Sequence, residues 1–531
     1  MMEKQRYHFL DGLRGAAMLL GLVLHGVLSF AGIPIWPAED VRSAPEVIYP
    51  VIDWIHGFRM QLFFLVSGFF TAMMWKKRGL GGLVKQRLLR IGLPLAVGVV
   101  VVFPAMIALG IWGGQVKAER GEVAQVGGSG LFEEVIEGDV ERVRALLEKG
   151  GDANEKDHNG TPLLHVASIA DNGEMVEVLL AKGAELDGRG GDGGTALSAA
   201  CFFGREAAAM VLLKAGADVS AQDWRGTSVM EATTTDFEIV EAIGGAFQIE
   251  VEESHREARE RLVIALAERG ADTTGERGLG WYRKGVEFPV FHHLWFLYDL
   301  LWLLLVFVPV ALVANRLGWR LPDGLIGVPG CLLWLVPLTW WMQSFMPGQF
   351  GPGTSTGIFP WPQKLGYYAV FFFFGAMSFG RGFWEEKVGR IWWGWFLVSL
   401  PLFFWGRSLV KDDLIFGALL ASGFSWVTIV GMTGLFRRFL NEGRPVIRYF
   451  SDSSYWLYVA HLPLMIVVQI LISAWEAPLL LKLVIVITSV TAILLAVYEW
   501  TVRYTWVGAI LNGRKIRVPS PLPVEKKNDL K

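Results

Sequence analysis

The stretch DGLRGAAMLLGLVLHGVLSF, Asp11 to Phe30, decides the fold class. It is apolar and long enough to cross a bilayer, whose hydrocarbon core of about 30 Å takes about 20 helical residues. Within it stand Arg14 and His25, and ionisable side chains in a membrane helix are costly unless they face a polar interior. They are eleven positions apart. At about 100° per residue, eleven steps fall within about 20° of three full turns, so both point the same way, about 16 Å apart along the axis. Asp11 lies three residues before Arg14. A helix with an Asp/Arg pair near one end and a histidine three turns further on lines something polar, most simply a substrate cavity.

Composition widens this to the whole chain. Of 531 residues, 53% are hydrophobic and 19% charged, with a mean hydropathy of +0.40. Those values indicate an all-α, polytopic membrane helix bundle. Apolar runs able to span lie near residues 8–30, 52–75, 91–113, 291–314, 326–346, 365–380, 391–407, 412–435, 453–474 and 480–502, about ten in all. No small-residue cleavage site follows the first, so it is expected to remain as a helix. A cytoplasmic N-terminus gathers Lys76, Lys77, Arg78, Lys85, Arg87, Arg90, Arg437, Arg438, Arg444, Arg448 and the basic tail on the inner side, as the positive-inside rule requires. Three spans precede residue 116, which puts the following segment outside the cytoplasm.

That segment is a different physical object. Residues 117–284 carry 18 Lys and Arg against 32 Asp and Glu, whereas the rest of the chain carries 31 against 19. The acidic part repeats itself: LLEKGGDANEKD, LLAKGAELDGR, LLKAGADVSAQD, LAERGADTTGER. Gly150, Gly183 and Gly216 recur every 33 residues. With Thr161-Pro162-Leu163-Leu164-His165, the pattern resembles the ankyrin repeat, a helix pair that buries its apolar face only against neighbours. Gly270 follows Gly216 by 54 residues, so the last of four units carries an insertion, expected around GAFQIEVEESHREARE, residues 245–260. The organisation is therefore a first membrane part over 1–115, an ankyrin α-solenoid over 116–285, a second membrane part over 286–515 and a basic cytoplasmic tail over 516–531. The solenoid suits docking of a protein partner; a passive insertion is the alternative. Cys201 and Cys331 fall in different parts and imply no disulfide framework.

Around Arg14 and His25 stand LFFLVSGFF (62–70), QRLLRIGLP (86–94), HHLWFLYDLL (292–301), SYWLYVAHLPL (454–464) and YEWTVRYTW (498–506). Together with R-x10-H these resemble the membrane acyltransferase-three family, in particular its ten-span periplasmic glucan succinyltransferase branch, over residues 1–115 and 285–515. The ankyrin insert departs from that pattern. The resemblance implies a multi-pass enzyme of the bacterial inner membrane that transfers an acyl group, acetyl or succinyl, from cytoplasmic acyl-CoA to a hydroxyl of an extracytoplasmic carbohydrate or envelope glycan. It implies acyl-CoA as co-substrate and no tightly bound cofactor. Nothing in the chain is spaced as a metal site or a nucleic-acid contact.

The residues make chemical sense of this. His25 is the candidate general base, because a neutral imidazole takes a proton from a hydroxyl near physiological pH; an interhelical hydrogen bond is its alternative. Arg14 is suited to a CoA phosphate or to the acyl carbonyl, or else is neutralised by Asp11. Arg87 and Arg90, three apart and so on one face of a regular helix, suit the CoA phosphates or simply fix topology. Arg59, with His56 beside it, suits an acceptor hydroxyl or an acyl carboxylate, whereas Ser67 and Gly68 suit helix packing. His293, Tyr458 and His461 are candidate substrate contacts, with belt anchoring or interhelical bonding as alternatives. Glu499 is expected to pair with Arg503, and GQFGPGTSTG (348–357) to form a flexible coil at an acceptor entrance. Two rivals stand outside enzymology. A membrane-anchored ankyrin receptor or channel, or a transporter of glycan or acylated substrate, would not depend on His25 for chemistry.

Overall fold

The structure, a computed structural model, describes residues 7–32, 36–119, 130–157, 160–190, 193–223, 227–247, 249–272, 290–346, 350–381, 383, 390–410, 413–442 and 444–512. Among them the regular elements are helical, with two isolated β-bridges in the solenoid. The first membrane part holds α1 (His8–Val27), α2 (Pro45–His56), α3 (Arg59–Arg87) and α4 (Leu93–Glu119), the last two joined by a π-helical turn over Leu88–Gly92.

After the solenoid come α14 (Trp295–Leu317), the short α15 (Asp323–Ile326), α16 (Leu332–Gln343), α17 (Pro362–Met377), α18 (Trp392–Leu409), α19 (Leu414–Phe439), α20 (Pro445–Ile472), α21 (Leu479–Val497) and α22 (Trp506–Asn512). Six helical stretches among the described residues are long and apolar enough to cross a membrane; one of them, Pro45–Val116, contains α2, α3 and most of α4. The expected runs at 326–346, 365–380 and 391–407 form helices of 12, 16 and 18 residues. At 1.5 Å per residue the shortest is about 18 Å long, less than the hydrocarbon thickness.

Aromatic packing joins the two membrane parts, with Phe64 of α3 stacked on Tyr368 of α17 at 4.6 Å; within the second part Phe371 stacks on Trp426 of α19 at 4.3 Å. Two glycines let α3 and α17 approach closely: a Cβ on Gly68 would lie 1.8 Å from the Phe372 carbonyl oxygen, and one on Gly375 would lie 1.9 Å from that of Leu65. Past the end of α1, the connecting loop is held by a buried ion pair. Lys482 donates to both carboxylate oxygens of Asp40, at 2.7 and 2.8 Å, and to the Ser473 carbonyl at 3.2 Å, so its three protons are used.

The solenoid stacks α5 (Gly130–Glu137) with α6 (Val140–Glu148), α7 (Leu163–Ile169) with α8 (Gly173–Ala181), and α9 (Ala196–Phe203) with α10 (Glu206–Ala215). The recurring glycine has a physical cause. Gly150, Gly183, Gly216 and Gly270 each follow a second helix with φ between +85° and +99°, a conformation that a Cβ disfavours. The insertion in the last unit lies earlier than expected. The extra element is α12 (Phe237–Phe247), packed against Phe203 in a small satellite core. Residues 253–260 instead open α13 (Glu253–Glu268), whose Leu262 and Leu266 join the main solenoid core as partners of α11 (Val229–Thr233). A single-sequence count of 54 residues fixes the size of an insertion and not its position, because α12 is as apolar as a repeat helix.

Cys201 is fully buried in that core, and burial pushes its thiol up to about 12. Since the thiolate is the nucleophile, iodoacetamide at pH 8 is expected to leave Cys201 unmodified in the folded protein and to label it in denaturant. Peptide mass spectrometry reads the outcome, and stoichiometric labelling under native conditions would contradict the packing.

Candidate active site

The site begins with backbone. The last carbonyls of a helix lack intrahelical partners, and a bilayer offers no water to supply them. At the end of α1, Gln469 of α20 does so, donating its amide to the carbonyls of His25 at 2.9 Å and Gly26 at 3.1 Å. Trp36 Nε1 donates to the Gln469 carbonyl oxygen at 3.2 Å, which fixes the amide's orientation. The turn of helix that carries His25 is thus held to α20.

Three imidazoles meet there. His25 Nδ1 and His461 Nε2 are 2.6 Å apart, and the His293 ring centre lies 5.0 Å from that of His461 and 6.3 Å from that of His25. His293 sits on the 3-10 turn His292–Leu294 that leads into α14. It donates from Nε2 to the Val459 carbonyl at 3.2 Å, while the Tyr458 hydroxyl donates back to the His293 carbonyl at 2.5 Å. This reciprocal pair locks the start of α14 against α20.

Arg59 approaches the same place from α3. It is 8% exposed, and its nearest polar partner is the weak acceptor Met60 Sδ at 3.4 Å; Nε has no partner among the described residues. Its guanidinium lies against α1 because position 21 is glycine: a Cβ on Gly21 would stand 2.2 Å from Arg59 Nη1. Gly21 is one turn before His25, so the cation and the imidazole lie one above the other along α1. The colliding atom is the end of a flexible side chain, so Gly21→Ala is expected to displace Arg59 without unfolding the bundle. Turnover should fall about tenfold or more, with an unchanged melting temperature in detergent. Wild-type turnover would show that Arg59 need not occupy this position.

At the other end of α1, Arg14 donates from Nη2 to the Ser451 carbonyl at 3.0 Å and to its hydroxyl at 2.9 Å. Asp11 is 4.0 Å from the same nitrogen, at the outer limit of an ion pair, so serine is the nearer partner. Arg87 donates to Thr71 Oγ1 at 2.6 Å and to the Ser67 carbonyl at 3.4 Å. Three residues on, the π-helical turn alters the period that a regular helix would have kept. The Tyr455 hydroxyl donates to the Arg90 carbonyl, and the Arg90 guanidinium has no protein acceptor among the described residues.

Arg14, His25, Arg59, Arg87, Arg90, His293, Tyr458 and His461 all line one cavity of about 390 Å³, along with His56 and Ser67. Three guanidinium groups stand at one end and three imidazoles near the other, about 16 Å along α1. Methionines and aromatics, Met18, Met60, Phe63 and Phe296 among them, form the wall between. A base, a buried cation with no carboxylate partner among the described residues and a remote cationic cluster can together activate a hydroxyl, neutralise a developing oxyanion and hold phosphates. Gly68 lies at the helix contact described above and Glu499 pairs with Arg503 at 2.7 Å, as the spacing suggests.

The glycine-rich segment is coil where it is described, and hydrogen bonds tie it and the residues just after it to their neighbours. Thr356 accepts from the Phe291 N–H at 2.9 Å, Ile358 from the Tyr298 hydroxyl, and Thr354 from Lys364 Nζ at 2.7 Å. Its Thr354 lines the cavity, as does Leu511 of α22. Thr354 belongs to the segment expected at an acceptor entrance, whereas Leu511 did not stand out in the sequence. Gln469 had a legible signal, a lone amide in the apolar run LMIVVQILI.

A family profile described as an acyltransferase domain matches residues 7–117 and 261–499, and one described as ankyrin repeats (3 copies) matches residues 131–223. The second acyltransferase stretch starts within α13, whose leucines pack in the solenoid core. Among curated proteins, Glucans biosynthesis protein C of Escherichia coli strains SMS-3-5 / SECEC and K12, and of Escherichia coli O1:K1 / APEC, is 35% identical over 108 residues. The aligned stretch is 20% of this chain and 27% of each relative, so the match spans about a quarter of their length.

Proposed function

The chain belongs to the acyltransferase-domain family, and from that premise we propose that it is an integral membrane O-acyltransferase acting on a carbohydrate hydroxyl. The donor is acyl-CoA, entering from the cytoplasm with its phosphates at Arg14, Arg87 and Arg90. The acceptor is an extracytoplasmic envelope glycan, a reading supported by the name of the relatives, Glucans biosynthesis protein C. The acyl group is acetyl or succinyl. One observation carries the reading: a single cavity joins the three-arginine end of α1 to the histidine end, across a distance that an extended thioester arm can bridge.

In the reaction, His25 removes the proton of the acceptor hydroxyl as its oxygen attacks the thioester carbonyl. Arg59 faces the oxygen on which negative charge develops. The carbon–sulfur bond then breaks, and the proton on His25 passes to the leaving thiolate, giving the ester and CoA thiol. The termini are cytoplasmic and the solenoid extracytoplasmic, where it presents a protein-docking surface; the charge asymmetry of the loops supports this orientation.

Mass spectrometry of envelope glycans from cells with and without the protein tests the reaction. The expected result is an acetyl or succinyl ester found only where the protein is present; identical glycan masses would refute it. A compartment-sensitive reporter fused within the solenoid tests sidedness, with activity on the cytoplasmic side reversing the assignment.

A further inference from the structure

The histidine pair has a direction. His461 Nδ1 lies 2.8 Å from the Tyr458 carbonyl and 3.0 Å from that of Leu457. Carbonyl oxygens only accept, so Nδ1 carries the proton. A neutral imidazole has one N–H, which leaves His461 Nε2 as a lone pair. The atom facing it, 2.6 Å away, is His25 Nδ1, which therefore holds a proton and donates it. That assignment leaves the lone pair of His25 on Nε2, the ring nitrogen with no partner among the described residues, on a side chain that lines the cavity. These tautomers follow from the hydrogen-bond network.

The ring geometry agrees. The planes are within 10° of parallel, with centres 4.9 Å apart. Face-to-face stacking cannot bring two ring nitrogens to 2.6 Å, whereas two coplanar rings meeting edge to edge do so, with the N–H of one aimed at the lone pair of the other. Because α20 supplies His461, the two carbonyls that set its tautomer and the Gln469 cap on α1, the whole arrangement is one rigid unit.

We propose that His461 is a positioning residue: through Nε2 it fixes the tautomer and the plane of His25, so that Nε2 of His25 is the atom that accepts the proton of the acceptor hydroxyl. This rests on His25 being the base. When the hydroxyl oxygen bonds to the acyl carbon, its proton moves to His25 Nε2, and the resulting imidazolium keeps its Nδ1–H bond to His461. When the carbon–sulfur bond breaks, the proton leaves Nε2 for the thiolate. His461 neither gains nor loses a proton in this cycle. It differs in this from an acid or base that touches substrate, and stands in the place a carboxylate takes in other histidine-based sites.

The test uses detergent-solubilised full-length protein, acetyl-CoA or succinyl-CoA as donor and glycan extracted from the host envelope as acceptor, with CoA thiol release as readout. His461→Phe keeps the ring's bulk and removes the acceptor. It is expected to lower kcat about 100-fold while leaving KM for the acyl-CoA within about twofold, since the phosphates bind at the far end of the cavity. His461→Gln offers a carbonyl oxygen in place of Nε2 and is expected to recover about tenfold of that loss. In a His25→Ala background, His461→Phe is expected to cost nothing further. The proposal is overturned if His461→Phe retains kcat, if Gln is no better than Phe at equal melting temperature, or if the double variant falls a further tenfold below His25→Ala. Full activity of His25→Ala alone would instead remove the base itself, a result distinct from each of these.

Discussion

His25→Ala is expected to lower kcat by about 10³-fold or more, with KM for acyl-CoA little changed. A positioned general base contributes on the order of 10²–10⁴ in rate, and the two neighbouring imidazoles stay held by backbone carbonyls instead of taking the place of the His25 ring. The Nδ1 of His461 is committed to two carbonyls, and His293 is tied through Nε2 to Val459. The loss should fall on turnover because the donor's phosphates are assigned to Arg14, Arg87 and Arg90, about three helical turns away. Structure should survive. Gln469 holds the backbone carbonyls of His25 and Gly26 and not the imidazole, so the cap on α1 remains when the ring is gone. Thiol release and glycan ester content, measured at equal protein level, decide the matter. Activity within tenfold of wild type would eliminate His25 as the base.

Gly68→Ala is expected to give little or no correctly folded protein, and Gly375→Ala likewise. Each added carbon would stand less than 2 Å from a main-chain carbonyl oxygen of the facing helix. Overpacking against a side chain is relieved by a change of rotamer and typically costs about 1–3 kcal/mol. Overpacking against backbone has no such relief, because α3 and α17 must separate as rigid rods. Separation would break the Phe64–Tyr368 stack and widen the wall from which Arg59 projects. Loss of the monodisperse peak on size exclusion, or a fall of many degrees in melting temperature, is the expected reading. An unchanged melting temperature for both variants would refute the packing of these helices.

The sequence made part of this legible, and the reason differs from residue to residue. Arg14 and His25 share a helix, so period alone predicts their common face. The glycines at 150, 183 and 216 mark a left-handed cap that recurs with each unit, which is why the solenoid could be read before any contact was known. Pairings between distant segments carry no such mark. His25 meets His461 across 436 positions, and Arg59 rests on a glycine in another helix. Local pattern is incomplete where backbone departs from the regular period. Arg87 and Arg90 line the same end of the cavity, as their spacing suggests, but a π-helical turn that the sequence does not mark intervenes between them. The expected coil after residue 348 is fastened, where described, by contacts to α14 and its approach that no turn propensity encodes.

That π-helical turn, Leu88–Gly92, has an evolutionary corollary. A widened turn of this kind holds one residue more than the ordinary spiral needs. Excising a single codon there would return the turn to the ordinary spiral and leave α4 near its present path, because the widened turn already absorbs the surplus residue. The cation at position 90 would be re-aimed while the one at position 87 stayed in place. One-residue indels at this joint are therefore a route by which descendants of such a chain can re-aim a cation at the cavity mouth without substituting either arginine.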